Sequence, residues 1–299
     1  MSPQDEATRG AERAAGVATM LYPQLFDSME RARWDMGKDI PWHTFDRSKL
    51  SERQAHGIKM NAILEWSAMP TAEMFLRDNQ HDADFAAFIS IWFFEEQKHS
   101  LALIEYLRRF APEFVPTEAE LAAVRFDFDT APALESLALH FCGEVRLNQW
   151  YRCAREHHTE PVIRHIYATL ASDEARHARA YYSYMSKALA SKRDEAADAF
   201  TKIGVLMTNA RLNKAMHPTN LHVNKSLYPN DTVNGRLPDP AWLSTWLDTE
   251  IAFDQAWEKR VEQGILGNLS ALFATPMSGS KDLRRFRDSL RKTTETAEI

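Results

Sequence analysis

Two short segments of this chain repeat one arrangement of metal-ligating side chains: Glu95-Glu96-Gln97-Lys98-His99 and Asp173-Glu174-Ala175-Arg176-His177. In each, a glutamate precedes a histidine by three positions, and on a helix that spacing sets carboxylate and imidazole on one face. In each, a further acid stands immediately before the glutamate. One Glu-x-x-His pair arises readily by chance in a chain with 11 histidines and 42 acidic residues. Two copies, each with the extra acid, do not. A carboxylate-bridged pair of metal ions needs two more glutamates, one from each remaining helix of a bundle. Glu65 lies 31 positions before Glu96, and Glu144 lies 30 before Glu174. Two equivalent hairpins would give such near-equal spacing, because both ligands of a hairpin must reach the same depth. Glu73 rivals Glu65, but it lies beyond Pro70 and only 23 positions before Glu96.

The surroundings of Glu65 and Glu144 support the same reading. Ile58, Ala62, Ala68 and Met69 flank the first at helical spacing; Leu137, Phe141, Leu147 and Tyr151 flank the second. An ionised carboxylate on a core face is costly unless it is paired or bound to a cation. Four carboxylates and two imidazoles from four helices suit iron or manganese, whereas zinc favours fewer ligands in a closed tetrahedron.

The elements that must position these residues read as helices throughout. Only 10 glycines occur in 299 residues, and no run of alternating β-branched residues suggests a strand. A first helix is expected over 11–36. Ser51-Glu-Arg-Gln54 is a capping box, opening a helix that runs past Glu65 toward Pro70. Asp82 or Asp84 opens the next, closed by Pro112. Thr130, with Pro132 in the first turn, opens a helix to about His158; Thr159 with Pro161 opens another to about Ala190. Ser191 starts a fifth, reaching Met216, and Asp239-Pro240 a last long one toward Ile265. The gap from 112 to 129 is the long crossover between two hairpins. Residues 1–275 read as one helical domain, and the basic stretch 276–299 as a disordered tail.

Taken together, the motifs resemble the ferritin-like non-haem di-iron carboxylate proteins, and among these the soluble acyl-carrier-protein desaturases. The likeness covers roughly residues 50–230 and includes Met216-His217-Pro218. It implies an all-α, ferritin-like four-helix bundle with additional N- and C-terminal helices, and a homodimer. Glu65, Glu96, His99, Glu144, Glu174 and His177 would then bind two iron ions. Asp173 would pair with His99 and Glu95 with His177, orienting the metal-bound imidazoles, with Arg176 beside them. The implied activity is dioxygen-dependent attack on an unactivated C–H bond, most naturally desaturation of an acyl chain on a carrier protein. Hydroxylation or N-oxygenation of a small metabolite and non-enzymatic iron handling are the alternatives. Leu147 stands where desaturases carry a threonine, and Leu170 where the N-oxygenases carry a seventh ligand histidine. No dinucleotide fingerprint is present, so electrons would come from a ferredoxin-type donor.

Of the remaining aromatic and imidazole groups, His140, one turn before Glu144, reads as a core histidine, and the His157-His158 doublet as a helix end. Trp66, Trp92 and Trp150 flank ligand positions and could line a substrate tunnel or simply fill the core. The basic tail could dock an acidic carrier. The net charge of −6 argues against duplex nucleic acid as a partner. The most apolar run, Phe85 to Phe94, is too short to span a bilayer. Two cysteines, Cys142 and Cys153, cannot build a disulfide framework or an iron–sulfur cluster, and they suit a reducing cytoplasm.

Overall fold

The computed structural model of the chain describes residues 20–124, 131–209 and 255–297, and every regular element among them is helical. In chain order these are α1 (Tyr22–Ala32), α2 (Glu52–Glu65), α3 (Ala68–Asp78), α4 (Ala83–Phe110), α5 (Glu118–Ala122), α6 (Ala133–His157), α7 (Pro161–Ser191), α8 (Arg193–Met207), α9 (Gln255–Leu272) and α10 (Ser280–Ala297). None of the helices among the described residues is long and apolar enough to cross a membrane.

Two helical hairpins, α2–α3 with α4 and α6 with α7, carry the two sequence motifs. Ser51 opens α2 with both capping-box bonds: Gln54 N–H donates to Ser51 Oγ at 3.2 Å, and Ser51 N–H donates to Gln54 Oε1 at 3.0 Å. The helix does not run on to Pro70. It ends at Glu65, and Pro70 instead lies inside α3. Proline has no N–H to give, and its ring crowds the carbonyl four residues back, that of Trp66. Tight i-to-i+3 bonds take over there, from Ser67 N–H to the Leu64 carbonyl at 2.9 Å and from Met69 N–H to that of Trp66 at 3.2 Å. The chain therefore bends immediately after a ligand candidate.

Asp82 caps α4, accepting from Phe85 N–H at 3.0 Å. Asp84 has another task, accepting from the Leu21 and Tyr22 amides at 3.0 and 2.8 Å and from Lys187 at 2.6 Å. Glu160, not Thr159, caps α7. Its fully buried carboxylate takes the Val162 and Ile163 amides, the Tyr106 hydroxyl and the Asp46 amide at 2.9–3.2 Å. Pro132 precedes α6 rather than sitting in its first turn. Of the expected caps, Thr130 and Asp239-Pro240 lie outside the described residues, as do Met216-His217-Pro218 and residues 11–19.

The segments outside the hairpins depart from expectation. The first helix stops at Ala32, where Arg33 turns extended. Residues 33–50 then form a strap across α4 and α7, fastened near its ends by Lys98, which donates to the Trp34 carbonyl, and by Glu160, which accepts from the Asp46 amide. Helix α8 ends at Met207, short of Met216. Residues 280–297, expected as a disordered tail, form α10. Leu283 is fully buried, Phe286 packs on Phe273 with ring centroids 4.8 Å apart, and Arg287 pairs with Asp198 at 2.6 Å. This apolar face was hidden in the sequence by the surrounding charges. Gly204 on α8 makes the packing possible, because a Cβ there would lie 2.7 Å from Leu269 and 3.2 Å from Leu283. One hydrophobic cluster runs from Met29 through both hairpins to Leu283.

Candidate metal centre

Four helices bring Glu65 (α2), Glu96 and His99 (α4), Glu144 (α6), and Glu174 and His177 (α7) into one interior space. None of the six is more than 7% exposed. They form two overlapping sets, Glu65–Glu96–His99–Glu174 and Glu96–Glu144–Glu174–His177, with the ligand atoms of each within 4.8 Å of one another. Glu96 and Glu174 belong to both. The rival Glu73 faces solvent.

Distances within each set match a cation-sized gap. His99 Nδ1 lies 3.5 Å from Glu65, 3.7 Å from Glu96 and 3.4 Å from Glu174. His177 Nδ1 lies 2.8 Å from Glu96, 3.7 Å from Glu144 and 3.6 Å from Glu174. Ligands about 2.1 Å from one ion stand about 3.0–3.5 Å from each other. The inward-facing atoms also lack protein partners: Glu96 Oε1, His99 Nδ1, Glu144 Oε2, both Glu174 oxygens and His177 Nδ1 make no hydrogen bond. So many orphaned polar atoms in one buried space form a donor set that a bound cation would satisfy. The residues present fit a pair of metal ions.

Outward-facing atoms, by contrast, are held. Each histidine turns Nε2 to the acid that precedes the opposite motif: His99 to Asp173 at 3.2 Å, His177 to Glu95 at 2.9 Å. Arg176 Nη2 bridges those two acids, 2.5 Å from Asp173 and 3.2 Å from Glu95. The guanidinium keeps two buried carboxylates ionised and so able to fix each imidazole. Trp34, on the strap, adds its indole N–H to Asp173 at 2.8 Å. Lys98 closes over it, donating to the Trp34 carbonyl at 2.6 Å with its ammonium 4.0 Å from the ring centre. Glu65 accepts from the Tyr151 hydroxyl, and Glu144 from the Trp92 indole at 3.0 Å.

The electrostatics follow from this crowding. Burial, with Glu96 and Glu144 close by, pushes the Glu174 carboxyl well above its ordinary range. Burial alone would lower the His99 imidazole, but Glu96 and the neighbouring Asp173, Glu174 and Glu65 hold it well above the usual value. Asp173 works against its own burial and is lowered by His99 and Arg176. Protons and metal ions thus compete for the same inward-facing atoms.

Comparison of the chain with models of known protein families gave no match, and comparison with curated protein sequences gave none. The site's chemistry therefore rests on its own residues.

Trp34 and Tyr181 are absent from the sequence reading. Trp34 reaches Asp173 across 139 positions, and no local pattern announces such a contact. Tyr181, by contrast, follows His177 by one helical turn, a register that could have flagged it. His140 packs its ring 4.1 Å from Phe75, and burial pushes its imidazole down to about 4. Trp66 belongs to a small separate cluster with Met60, Ile63 and Val124. Trp150 packs edge-on against Tyr151 at 5.0 Å.

Proposed function

We propose that the chain is an oxygen-activating oxidase, holding two iron ions between Glu65, Glu96, His99, Glu144, Glu174 and His177 and attacking an unactivated C–H bond. The observation that carries this reading is the pair of buried ligand sets that share Glu96 and Glu174 and leave their inward atoms unpartnered. When bound, the two ions would supply one-electron redox chemistry and an open position for dioxygen. The carboxylate-rich donor set suits iron, and manganese second.

The chain's own residues have distinct tasks. Asp173 and Glu95 fix the imidazoles with Nδ1 inward, and Arg176 keeps both acids charged. Tyr151 and Trp92 each anchor one oxygen of a terminal glutamate, leaving the other to face the centre. Phe75, Phe88, Trp92 and Phe141, all buried, exclude water from a site that must handle a reactive oxidant.

The desaturase-like motifs favour an acyl thioester on an acidic carrier protein as substrate. Lys281, Arg284 and Arg285 are exposed on α10 and offer it a basic counter-surface. The two cysteines, both on α6, form no disulfide and are too few for an iron–sulfur cluster, so electrons would come from a separate ferredoxin-type protein. The test is turnover of ferrous-loaded protein with a ferredoxin system, labelled dioxygen and saturated acyl carriers, read by mass spectrometry. Loss of two hydrogens supports desaturation, and a gain of one labelled oxygen means hydroxylation. If acyl carriers, free acids and amines all return unchanged while ferric iron accumulates, an iron-handling role replaces the enzyme reading.

A further inference from the structure

Two tyrosines approach the centre from opposite ends, and their hydroxyls differ. Tyr151 directs its hydroxyl to Glu65. Tyr181, one turn beyond His177 on α7, is fully buried, and its hydroxyl has no partner. Among the described residues it is the one buried side-chain hydroxyl in that condition. Folded proteins rarely leave such a group unsatisfied unless something else binds it.

The surroundings indicate what that would be. Phe75, Phe85, Phe88 and Trp92 stand around the Tyr181 ring with centroids 5.3–6.4 Å away, and His140 lies at 6.2 Å. Trp92 joins this wall to the centre through its bond to Glu144. Glu144, Glu96 and Glu174 are the charged groups that act on the phenol. Its place one turn beyond His177, with its ring beside the Trp92 that bonds Glu144, sets Tyr181 at the Glu144–His177 end of the centre within a largely aromatic wall. A phenol is protonated at neutral pH and enters as a donor. Four protein ligands also leave an iron ion short of its usual six.

We propose that Tyr181 donates a hydrogen bond to a small exogenous ligand of the dioxygen or azide class, bound at the Glu144–His177 end rather than the Glu65 end. This rests on the two-metal reading. At the other end the corresponding phenol already serves Glu65, so an incoming ligand would find no free donor there.

The probe is azide, added to full-length protein loaded with two equivalents of cobalt(II). Its antisymmetric stretch is recorded by infrared spectroscopy in water and in heavy water, and its affinity is read from the cobalt absorption bands. The wild type should show an isotope shift. Tyr181→Phe should abolish that shift and raise the azide dissociation constant about tenfold, the effect of one neutral hydrogen bond. If both proteins bind two cobalt ions and azide equally well with the same isotope response, Tyr181 has no such role and the two-metal reading stands. If the wild type takes up fewer than two cobalt ions, the two-metal reading fails and this proposal falls with it. Should Tyr181→Phe not fold, global replacement of tyrosine by 3-fluorotyrosine decides: a more acidic phenol must shift the azide band further, and an unmoved band overturns the proposal.

Discussion

The Glu65–His99 and Glu144–His177 halves of the cluster share residue types and the two glutamates Glu96 and Glu174, yet they are held differently. In the first half a hydroxyl anchors the terminal glutamate; in the second an indole does. The acid behind His99 takes bonds from Trp34 and Arg176, while the acid behind His177 takes one from Arg176 alone. The first half continues outward through stacked Tyr151 and Tyr167 to His158, whose ring lies 5.4 Å from Tyr167. The second continues through Tyr181 to His140 and Phe75. The difference teaches that near-symmetry in ligands need not extend to their supports. Both halves fix an imidazole and a terminal glutamate; the first has one donor more, Trp34, and the second has the unpartnered Tyr181 hydroxyl nearby.

The bluntest way to break this comparison is to remove the carboxylates. Glu174→Ala, which takes a bridging ligand from both halves, should lose both metal ions. Glu65→Ala and Glu144→Ala should each retain one, by elemental analysis of dialysed protein. Equal loading in all three would mean the halves are not metal sites at all. A smaller effect separates the supports. Asp173→Asn should weaken metal binding in the His99 half, and Glu95→Gln in the His177 half, each by about 10–100-fold, as loss of an imidazole's partner typically does. Stepwise calorimetric titration would show which half responds, and wild-type isotherms in both variants would make these acids bystanders. Tyr151→Phe and Trp92→Phe each remove the hydrogen bond that anchors a terminal glutamate. Each should weaken its own half by roughly tenfold at most; a larger loss in the opposite half would contradict the assignment.

The smallest effect lies at the far end of the first half. Burial, with His157 adjacent, pushes the His158 imidazole down to about 3, so it is neutral in the folded protein. The unfolded chain protonates it below about 6.5, so stability is full above that value and falls as pH drops toward 3. Between pH 6.5 and 5.5 the loss should be about 1 kcal/mol. Urea unfolding of the wild type and of His158→Gln at the two pH values measures it. A slope shared by both proteins would assign the acid sensitivity elsewhere.

What the sequence made legible was periodic. Glu96 with His99 and Glu174 with His177 declare a shared helix face, and matched spacing from Glu65 and Glu144 declares a shared depth. The six side chains do lie together. Ser51 and Asp82 were visible as caps because capping chemistry is local. The supports were not, because they join distant positions: Trp34 to Asp173 across 139 residues and Tyr151 to Glu65 across 86. Glu160 was hidden for a related reason. Its local role as a cap looks no better than that of Thr159, and its contacts with Tyr106 and Asp46 come from elsewhere in the chain. The bend after Glu65 needed Pro70 to be read for what it does to Trp66, four residues earlier, rather than as a helix stop.

The strap also imposes an order of assembly. Its fastenings are Glu160 and, through Trp34, Lys98 and Asp173, all of them later in the chain. During synthesis residues 33–50 leave the ribosome long before α7 exists, so the set of contacts that holds them is incomplete until residue 173 has emerged. Contacts of such long sequence separation form late, after the loop-closure entropy has been overcome by the hairpins themselves. This early-made part of the described chain is thus among the last to be fully seated. Until it docks, Asp173 lacks its indole partner and the acid behind His99 stays open to water.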